Sequence, residues 1–315
     1  MTDRPFDDIR RLLSDLPPPP GGVFIPPGLG RLGDLAGWIG GWSGRAPQVR
    51  RPVVALYAGP ADVFGDGQAP STNPRARLEA VAAGATAASR MAAATGAGLE
   101  AFDLAVDRPG HDIRLRAAMS ERECAATMAF GMEALAKQPD LLLLGVLGDG
   151  ANISAGAVAA GLFGGPAVDW SRDPATAEQA VARLRAEAAQ HVHGPTCGHH
   201  HHHHDHGPEP LDILRELGGR EIAAIAGAIV AARTQGVPVL LDGYAALAAA
   251  AVLVALDPRA VEHCRAAHVP AEPGAAKLIA TLGLEPVLDL SIEEDDGVGA
   301  LAALAVIKAA CEAAG

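Results

Sequence analysis

Apolar runs and helical periodicities alternate along most of the chain. Continuous apolar runs predict buried strands at 52–57, 99–106, 140–146, 237–242 and 286–292. Helical spacing or high alanine content predicts helices at 6–16, within 26–42, and at 75–95, 120–137, 153–163, 175–190, 216–235, 244–255 and 298–312. This alternation is typical of βαβ units. We therefore expect an α/β fold, with a doubly wound, mostly parallel sheet and helices on both faces.

Four loops of such a fold are candidate functional segments. Parallel sheets bind ligands outside the carboxyl ends of their strands. In this chain the loops in that position are predicted at 58–74, 145–153, 242–245 and 291–298.

Composition narrows the class of protein. Apolar residues make up 49% of the 315 residues, which is enough for a large core. The formal net charge of −12 and the 3% aromatic content argue against a nucleic-acid partner. The apolar stretches are too short to predict a membrane span, and we expect no membrane partner. The four widely spaced cysteines fit a reducing compartment, so we expect a cytoplasmic protein.

The segment GVLGDGANISAG, residues 145–156, follows a predicted strand and opens a helix. Gly148 and Gly150 would let a ligand approach the backbone, and the helix N-terminus would favour an anion. With Asp149 and Asn152 they form a candidate substrate-binding turn. The spacing matches neither common nucleotide-binding motif, so an ordinary strand-to-helix turn is an equal alternative.

The segment IEEDDGVGA, residues 292–300, places four acids directly before a helix. One interpretation is that they complement the helix dipole. The other is that a carboxylate here acts as a general base, and Asp296 and Asp295 are the candidates.

A histidine-rich insert at 191–210 contains nine of the twelve histidines. Imidazole and thiol groups at this density suit zinc, nickel or cobalt ions. The candidate metal ligands are His191, His193, Cys197, His199, His200, His201, His202, His203, His204 and His206. An inert insertion and an engineered tag remain alternatives.

The segment HCRAAHVPAEPG, residues 263–274, combines histidines with a cysteine and Glu272. His263 and His268 are five residues apart, which does not fit one helical face. Cys264 is more typical of a small buried residue than of a nucleophile.

Several collinear segments resemble one known family, the nicotinate-nucleotide–dimethylbenzimidazole phosphoribosyltransferases of cobalamin nucleotide-loop assembly. The most specific are SERECAATMAFGMEAL (120–135) and LGGREIAAIAGAIVAARTQGVPVLLDGYAALAAA (217–250). The others are PPGLGRLGDLAGWIGGWSGRAP (26–47), RPVVALYAG (51–59), AAGATAA (82–88), HCRAAHVPAEPG (263–274) and GVGALAALAVIKAA (297–310).

The resemblance implies an α/β domain at 51–290 that carries the insert at 191–210. Helices from 1–50 and from 291–315 would form a small helical domain, and the protein would be a homodimer. The reaction would move phosphoribose from nicotinate mononucleotide to 5,6-dimethylbenzimidazole, a benzimidazole-type base, without a cofactor. A carboxylate before the last helix would accept the imidazole proton.

The chain departs from the family pattern around the implied site. Pro60 and Ala61 stand where the family has a polar pair after the first strand. Ala76 replaces the family's glutamine that faces the aromatic base, and Val146 replaces its glutamate at the end of a strand. The family's phosphate loop is replaced by VDWSRDP, residues 168–174, and its catalytic glutamate aligns with Asp296.

The matching segments nevertheless predict a substrate site. We expect Gly59, Asp242 and Glu272 to bind substrate together with the turn at 148–152. Two functional hypotheses follow. One is the family's phosphoribosyl transfer, and the other is an inactive paralogue that binds metal through the insert and acts as a partner or regulator in cobalamin or metal metabolism.

Overall fold

The computed structural model describes residues 4–60, 73–108, 110–148, 150–192 and 208–315. The strands are β1 (Pro52–Ala58), β2 (Gly98–Asp103), β3 (Leu141–Val146), β4 (Val239–Leu241), β5 (Cys264–His268) and β6 (Pro286–Leu288). The helices are α1 (Asp7–Ser14), α2 (Arg31–Ser43), α3 (Pro74–Ala82), α4 (Ala87–Thr95), α5 (Glu121–Gly131), α6 (Ala151–Phe163), α7 (Pro174–Val192), α8 (Pro210–Leu217), α9 (Gly219–Gln235), α10 (Gly243–Leu256), α11 (Ala275–Thr281) and α12 (Val298–Ala314).

The strands form one parallel sheet in the order β2-β1-β3-β4-β5-β6. Ala55 of β1 pairs with Glu100 of β2 on one side and with Leu144 of β3 on the other. The chain therefore winds outward to β2 and then back across β1 to β3. This reversal makes the gap between the ends of β1 and β3 the topological switch point, where such sheets bind ligands.

Helices cover both faces of the sheet, which confirms the predicted fold class. Successive residues of β1 enter opposite apolar layers, Tyr57 with one face and Leu56 with the other. All of β1 and β3 is buried, as expected for strands covered on both sides. Helices α1 and α5–α11 pack in the first layer, and α2, α3, α4 and α12 pack in the second.

Small residues let α9 approach α5 closely. A Cβ atom on Gly227 of α9 would overlap the carbonyl of Met128 in α5, and one on Gly131 would overlap the carbonyl of Ala224. This contact is one structural reason for the high alanine and glycine content. It also fixes α9, which carries a buried acid in its first turn, firmly against α5.

The terminal helices lie on different faces. Helix α1 contacts α9, whereas α2 packs against α12 on the opposite face of the sheet. The domain boundaries at 1–50, 51–290 and 291–315 remain a prediction.

Two predicted helices are each divided in the structure. Residues 75–95 form α3 and α4, because Gly84 adopts a positive φ of 70° and Thr86 caps the second helix. Residues 216–235 are divided at Gly218, between α8 and α9. The predicted capping box at Ser120 and Glu123 is confirmed. No helix within the described ranges is both long and apolar enough to cross a bilayer.

Most of the histidine-rich insert lies outside the described residues. Replacing residues 191–207 with a short Gly/Ser linker should change the free energy of unfolding by at most about 1 kcal/mol, because loop-closure entropy depends weakly on length. The flanking helices bury their own side chains, including Leu184 of α7 and Leu211 of α8. Urea unfolding of both proteins in metal-free buffer measures the difference. A loss of several kcal/mol in the free energy of unfolding would contradict the prediction. Added zinc should stabilise the intact protein only if the native insert binds it.

Candidate active site

Polar and charged side chains collect at the carboxyl edge of the sheet. Asp242 follows β4, His268 ends β5, and the acids at 293–296 precede α12. Parallel strands end at the same edge, so residues far apart in sequence meet there. The predicted loops at 145–153, 242–245 and 291–298 all converge on this edge.

Asp242 joins the sheet to the last helix. Its side chain is fully buried, and its two oxygens accept hydrogen bonds from the backbone amides of Gly297, at 2.7 Å, and Ala300, at 2.6 Å. These amides belong to the first turn of α12, where a carboxylate is favoured by the helix dipole. Asp242 therefore holds the N-terminus of α12, and the acids before it, against the end of β4.

His268 lies beside Asp242. Its Nε2 is 3.4 Å from the Asp242 carboxylate, and the ring packs so closely on Gly299 that a Cβ there would overlap it. Burial opposes the charged form, but the adjacent Asp242 carboxylate, with Asp295 beyond, raises the pKa of His268 above its usual value. The imidazole therefore stays protonated to a higher pH than a free histidine does, and in that form it balances the charge of the Asp242 carboxylate.

Asp295 places a buried carboxyl next to this pair. Its backbone carbonyl accepts a hydrogen bond from Val146 at 2.8 Å, which attaches the acidic loop to the end of β3. Its side chain lies over Gly243, where a Cβ atom would overlap it. Burial, with the nearby Asp242 charge, raises the pKa of Asp295 to about 7.

Asp296 is half-buried and thus more accessible than Asp295. Burial and the charges of Asp242 and Glu294 raise its pKa, and Arg77 acts in the opposite direction. Arg77 of α3 forms an ion pair with Glu294 at 3.4 Å. Helix α3 therefore lies across from Asp296, and the segment that carries Ala76 faces the acidic loop.

A second polar group lies at the start of α6. Glu272 forms an ion pair with Arg172 at 3.3 Å, and Asn152 donates to the same carboxylate at 3.4 Å. Burial raises the pKa of Glu272, and the Arg172 charge opposes this. Gly150 caps α6 in the left-handed conformation, with no side-chain cap. The structure therefore brings Asn152 and Glu272 together, as a shared substrate-binding role requires.

Gly59 and Gly148 flank a buried acid that the sequence analysis did not identify. Glu221, in the first turn of α9, is 3% exposed. A Cβ on either glycine would overlap its carboxyl group. The signal in the sequence is an acid directly before the alanine-rich apolar run at 222–232, since acids are rarely buried without a specific reason.

The remaining predicted residues have different outcomes. Asp149, His193, Cys197 and the histidines at 199–204 and 206 lie outside the described residues, as does the side chain of His191 at the end of α7. In the part of the chain that the structure describes, no cluster of three or more His, Cys, Asp or Glu side chains is arranged to hold a metal ion. His263 is a core residue beside Trp42, and burial lowers its pKa to about 3.

Asp295→Asn should increase the free energy of unfolding, and this increase should be about 2–3 kcal/mol larger at pH 8 than at pH 5. The carboxyl has a pKa of about 7 in the folded protein, against about 3.9 in an unfolded chain. Between these values the wild type loses about 1.4 kcal/mol of stability per pH unit as pH rises, whereas asparagine does not ionise. Urea unfolding at both pH values measures the difference. A gain that does not vary with pH would contradict the buried titration.

Comparison with known proteins identifies relatives over nearly the full chain. The profile of a family described as Phosphoribosyltransferase matches residues 22–315. The nicotinate-nucleotide–dimethylbenzimidazole phosphoribosyltransferase of Allorhizobium ampelinum is 46% identical, over 98% of this chain and 93% of that protein. The enzyme of the same description from Rhizobium leguminosarum bv. trifolii is 45% identical, over 97% and 93%.

Solved structures agree with this relationship. The crystal structure of CobT from Thermus thermophilus has a TM-score of 0.77 and 26% sequence identity to this chain, and the match covers 98% of this chain and 95% of that one. The chain therefore belongs to the nicotinate-nucleotide–dimethylbenzimidazole phosphoribosyltransferase family.

Proposed function

We propose that this protein transfers the phosphoribosyl group of nicotinate mononucleotide to 5,6-dimethylbenzimidazole and releases nicotinate. The observation that carries the proposal is the placement of Asp296, a half-buried carboxyl with a raised pKa at the ligand-binding edge of the sheet. Family membership supports the substrate pair. The proposed reaction belongs to cobalamin biosynthesis, where the product is α-ribazole 5′-phosphate.

Asp296 would act as the general base. It accepts the N–H proton of the imidazole ring while the other ring nitrogen attacks C1′ of the ribose. The bond from C1′ to the pyridinium nitrogen breaks, and its electron pair returns to the ring, which leaves as nicotinate. Aspartate is one methylene shorter than the family's glutamate. Dimethylbenzimidazole would therefore bind closer to the acidic loop, or a water molecule would relay its proton to Asp296.

The Asp242 anchor supports this role. Hydrogen bonds from Gly297 and Ala300 to Asp242 fix the start of α12, and the Val146–Asp295 hydrogen bond fixes the loop before it. Because the segments on both sides of Asp296 are fixed, its carboxylate loses little freedom when dimethylbenzimidazole binds, which favours a reactive geometry.

The start of α6 offers a place for the phosphate. The helix N-terminus favours an anion. Arg172, from the segment that replaces the family's phosphate loop, lies beside this helix end, because it pairs with Glu272, which accepts a hydrogen bond from Asn152 of α6. Gly148, Gly150 and Asn152 would then contact the mononucleotide, as the sequence predicts. This reaction requires no cofactor.

A product assay tests the proposal. Purified protein is incubated with nicotinate mononucleotide and dimethylbenzimidazole, and both products are quantified by liquid chromatography and mass spectrometry. Nicotinate and α-ribazole 5′-phosphate should appear in equal amounts, and omission of dimethylbenzimidazole should abolish the second. Absence of α-ribazole 5′-phosphate would contradict the proposal. Light scattering of the same sample tests the accompanying expectation of a homodimer.

The second hypothesis, a metal-binding paralogue without transferase activity, is motivated by the nine clustered histidines at 191–206 and by Val146 and Asp296, which stand where the family has glutamates. Calorimetry with zinc, nickel and cobalt, on the full chain and on a chain lacking 191–210, tests it. Metal binding that requires the segment, together with a failed product assay, would favour this hypothesis over the transferase.

A further inference from the structure

An ion pair joins α3 to the acidic loop at 292–296. Nη2 of Arg77 lies 3.4 Å from the Glu294 carboxylate, so the guanidinium reaches across the gap between the helix and the loop. The Arg77 side chain is 25% exposed, whereas that of Glu294 is 67% exposed. The guanidinium is therefore the more sheltered member of the pair, and Asp296 follows its partner by two residues.

Acids predominate around Asp296. Asp242 lies behind the loop at the end of β4, and Glu293 and Glu294 lie in the loop itself. One carboxyl oxygen of Asp296, Oδ1, is buried and has no hydrogen-bond partner among the described residues. Burial, Asp242 and Glu294 raise the pKa of Asp296, and Arg77 lowers it. Within the part of the chain that the structure describes, Arg77 is thus the cation that opposes protonation of this carboxyl.

Two further titratable groups of this edge do not replace Arg77. Asp295, which precedes Asp296, is itself a buried acid. His268 has its Nε2 3.4 Å from the Asp242 carboxylate, so its positive charge balances Asp242. Arginine, in contrast to histidine, stays charged throughout the neutral and mildly alkaline range. Helix α3 therefore supplies Asp296 with a permanent cation.

We propose that Arg77 is a positioning residue of the transfer reaction, whose guanidinium keeps Asp296 ionised in the substrate-free protein so that it can accept the imidazole proton. This inference rests on the proposed function. A general base must lose its own proton before it can take one from the substrate. An opposite charge close to a carboxyl favours the ionised form. Because Glu294 holds the guanidinium, the cation is in place before dimethylbenzimidazole binds.

The test follows Asp296 in two ways, in wild type and in Arg77→Gln. The first is the pH dependence of kcat/KM for product formation, which reports ionisable groups of the free protein. The second is the pKa of Asp296 itself, from carbon NMR of labelled aspartate carboxyl groups, with the Asp296 signal assigned by its loss in Asp296→Asn. Arg77→Gln should move the acidic limb of the profile and the Asp296 pKa upward by about one pH unit, the lower end of the range for a nearby opposite charge.

The shape of the profile distinguishes this role from a structural one. At alkaline pH Asp296 is ionised in both proteins, so kcat/KM of Arg77→Gln should return to within about threefold of wild type. Dimethylbenzimidazole titrates identically with both proteins, so the difference between the two profiles isolates the protein group. A loss of activity that is uniform across the pH range would reflect structural damage and would overturn the proposal.

Arg77→Lys and Arg75→Gln are the controls. Lysine keeps the positive charge, so Arg77→Lys should retain the acidic limb of the wild type to within about 0.3 pH unit. Arg75 lies on the same helix and is 41% exposed, but it pairs with Asp103 of β2 at 3.2 Å rather than with the acidic loop. Arg75→Gln should leave both the limb and the Asp296 pKa unchanged.

The outcomes separate this inference from the proposed function. Product formation with the same acidic limb and the same Asp296 pKa in wild type and Arg77→Gln would overturn the role of Arg77 while the transferase stands. A higher Asp296 pKa in Arg77→Gln, in a protein that forms no product, would support the electrostatic coupling and overturn the transferase. An unchanged Asp296 pKa without product formation would overturn both.

Discussion

Asp296→Asn should lower kcat by roughly 10²–10⁴-fold, the contribution typical of a positioned general base. The substitution keeps the size of the side chain and removes its capacity to accept a proton. The raised pKa of Asp296, caused by burial and by Asp242 and Glu294, makes the wild-type carboxylate a stronger base than a surface aspartate. Initial rates with saturating nicotinate mononucleotide and dimethylbenzimidazole measure the effect.

Two further variants make this prediction specific. Glu293→Gln removes an exposed acid from the same loop and should leave kcat within about threefold. Asp296→Glu restores the reach of the family's glutamate and should retain at least the wild-type kcat. An unchanged rate in Asp296→Asn would show that another group accepts the proton, and the same assay on Asp295→Asn would then identify the neighbouring acid or exclude it.

Asp242→Ala should lower the free energy of unfolding by about 3–5 kcal/mol. The substitution removes the acceptor of two buried backbone hydrogen bonds, from Gly297 and Ala300, and leaves His268 without its counter-charge. Breaking a buried charged interaction by deleting one partner typically has a cost of this size. Urea unfolding at pH 7 measures it.

The control for Asp242 is an exposed acid in another ion pair. Asp8 lies 3.1 Å from Arg11 on α1 and is 79% exposed, so Asp8→Ala should change stability by no more than about 1 kcal/mol. Asp242→Asn, which keeps one acceptor oxygen, should lose less than Asp242→Ala. A loss below about 1 kcal/mol in Asp242→Ala would contradict the anchoring role.

The alternation of apolar runs and helices predicted most of the fold, because buried parallel strands such as β1 and β3 are continuous apolar runs. It missed β5, whose sequence CRAAH is only five residues long and lacks the β-branched residues that favour strands. It also missed α11, a helix of seven residues. Short elements of this kind are determined mainly by their packing partners rather than by local pattern.

The site was predictable where it depends on the ends of strands. The loops that carry Asp242 and Asp296 could be named because parallel strands share a carboxyl edge. The role of His268 could not be predicted, because the short strand that places it at the sheet edge has no clear sequence pattern. Its spacing from His263 excludes a shared helical face but says nothing about a strand. Glu221 could not be assigned either, since its proximity to Gly59 and Gly148 depends on how α9 packs across the sheet.

A crystal structure with dimethylbenzimidazole bound is the most direct test of the proposed reaction centre. We expect the aromatic ring to lie between α3 and the acidic loop at 292–296, with one imidazole nitrogen within hydrogen-bond distance of the Asp296 carboxylate or of a water that it holds. A ring bound away from the carboxyl edge of the sheet, or bound there with neither nitrogen directed at Asp296, would contradict the account.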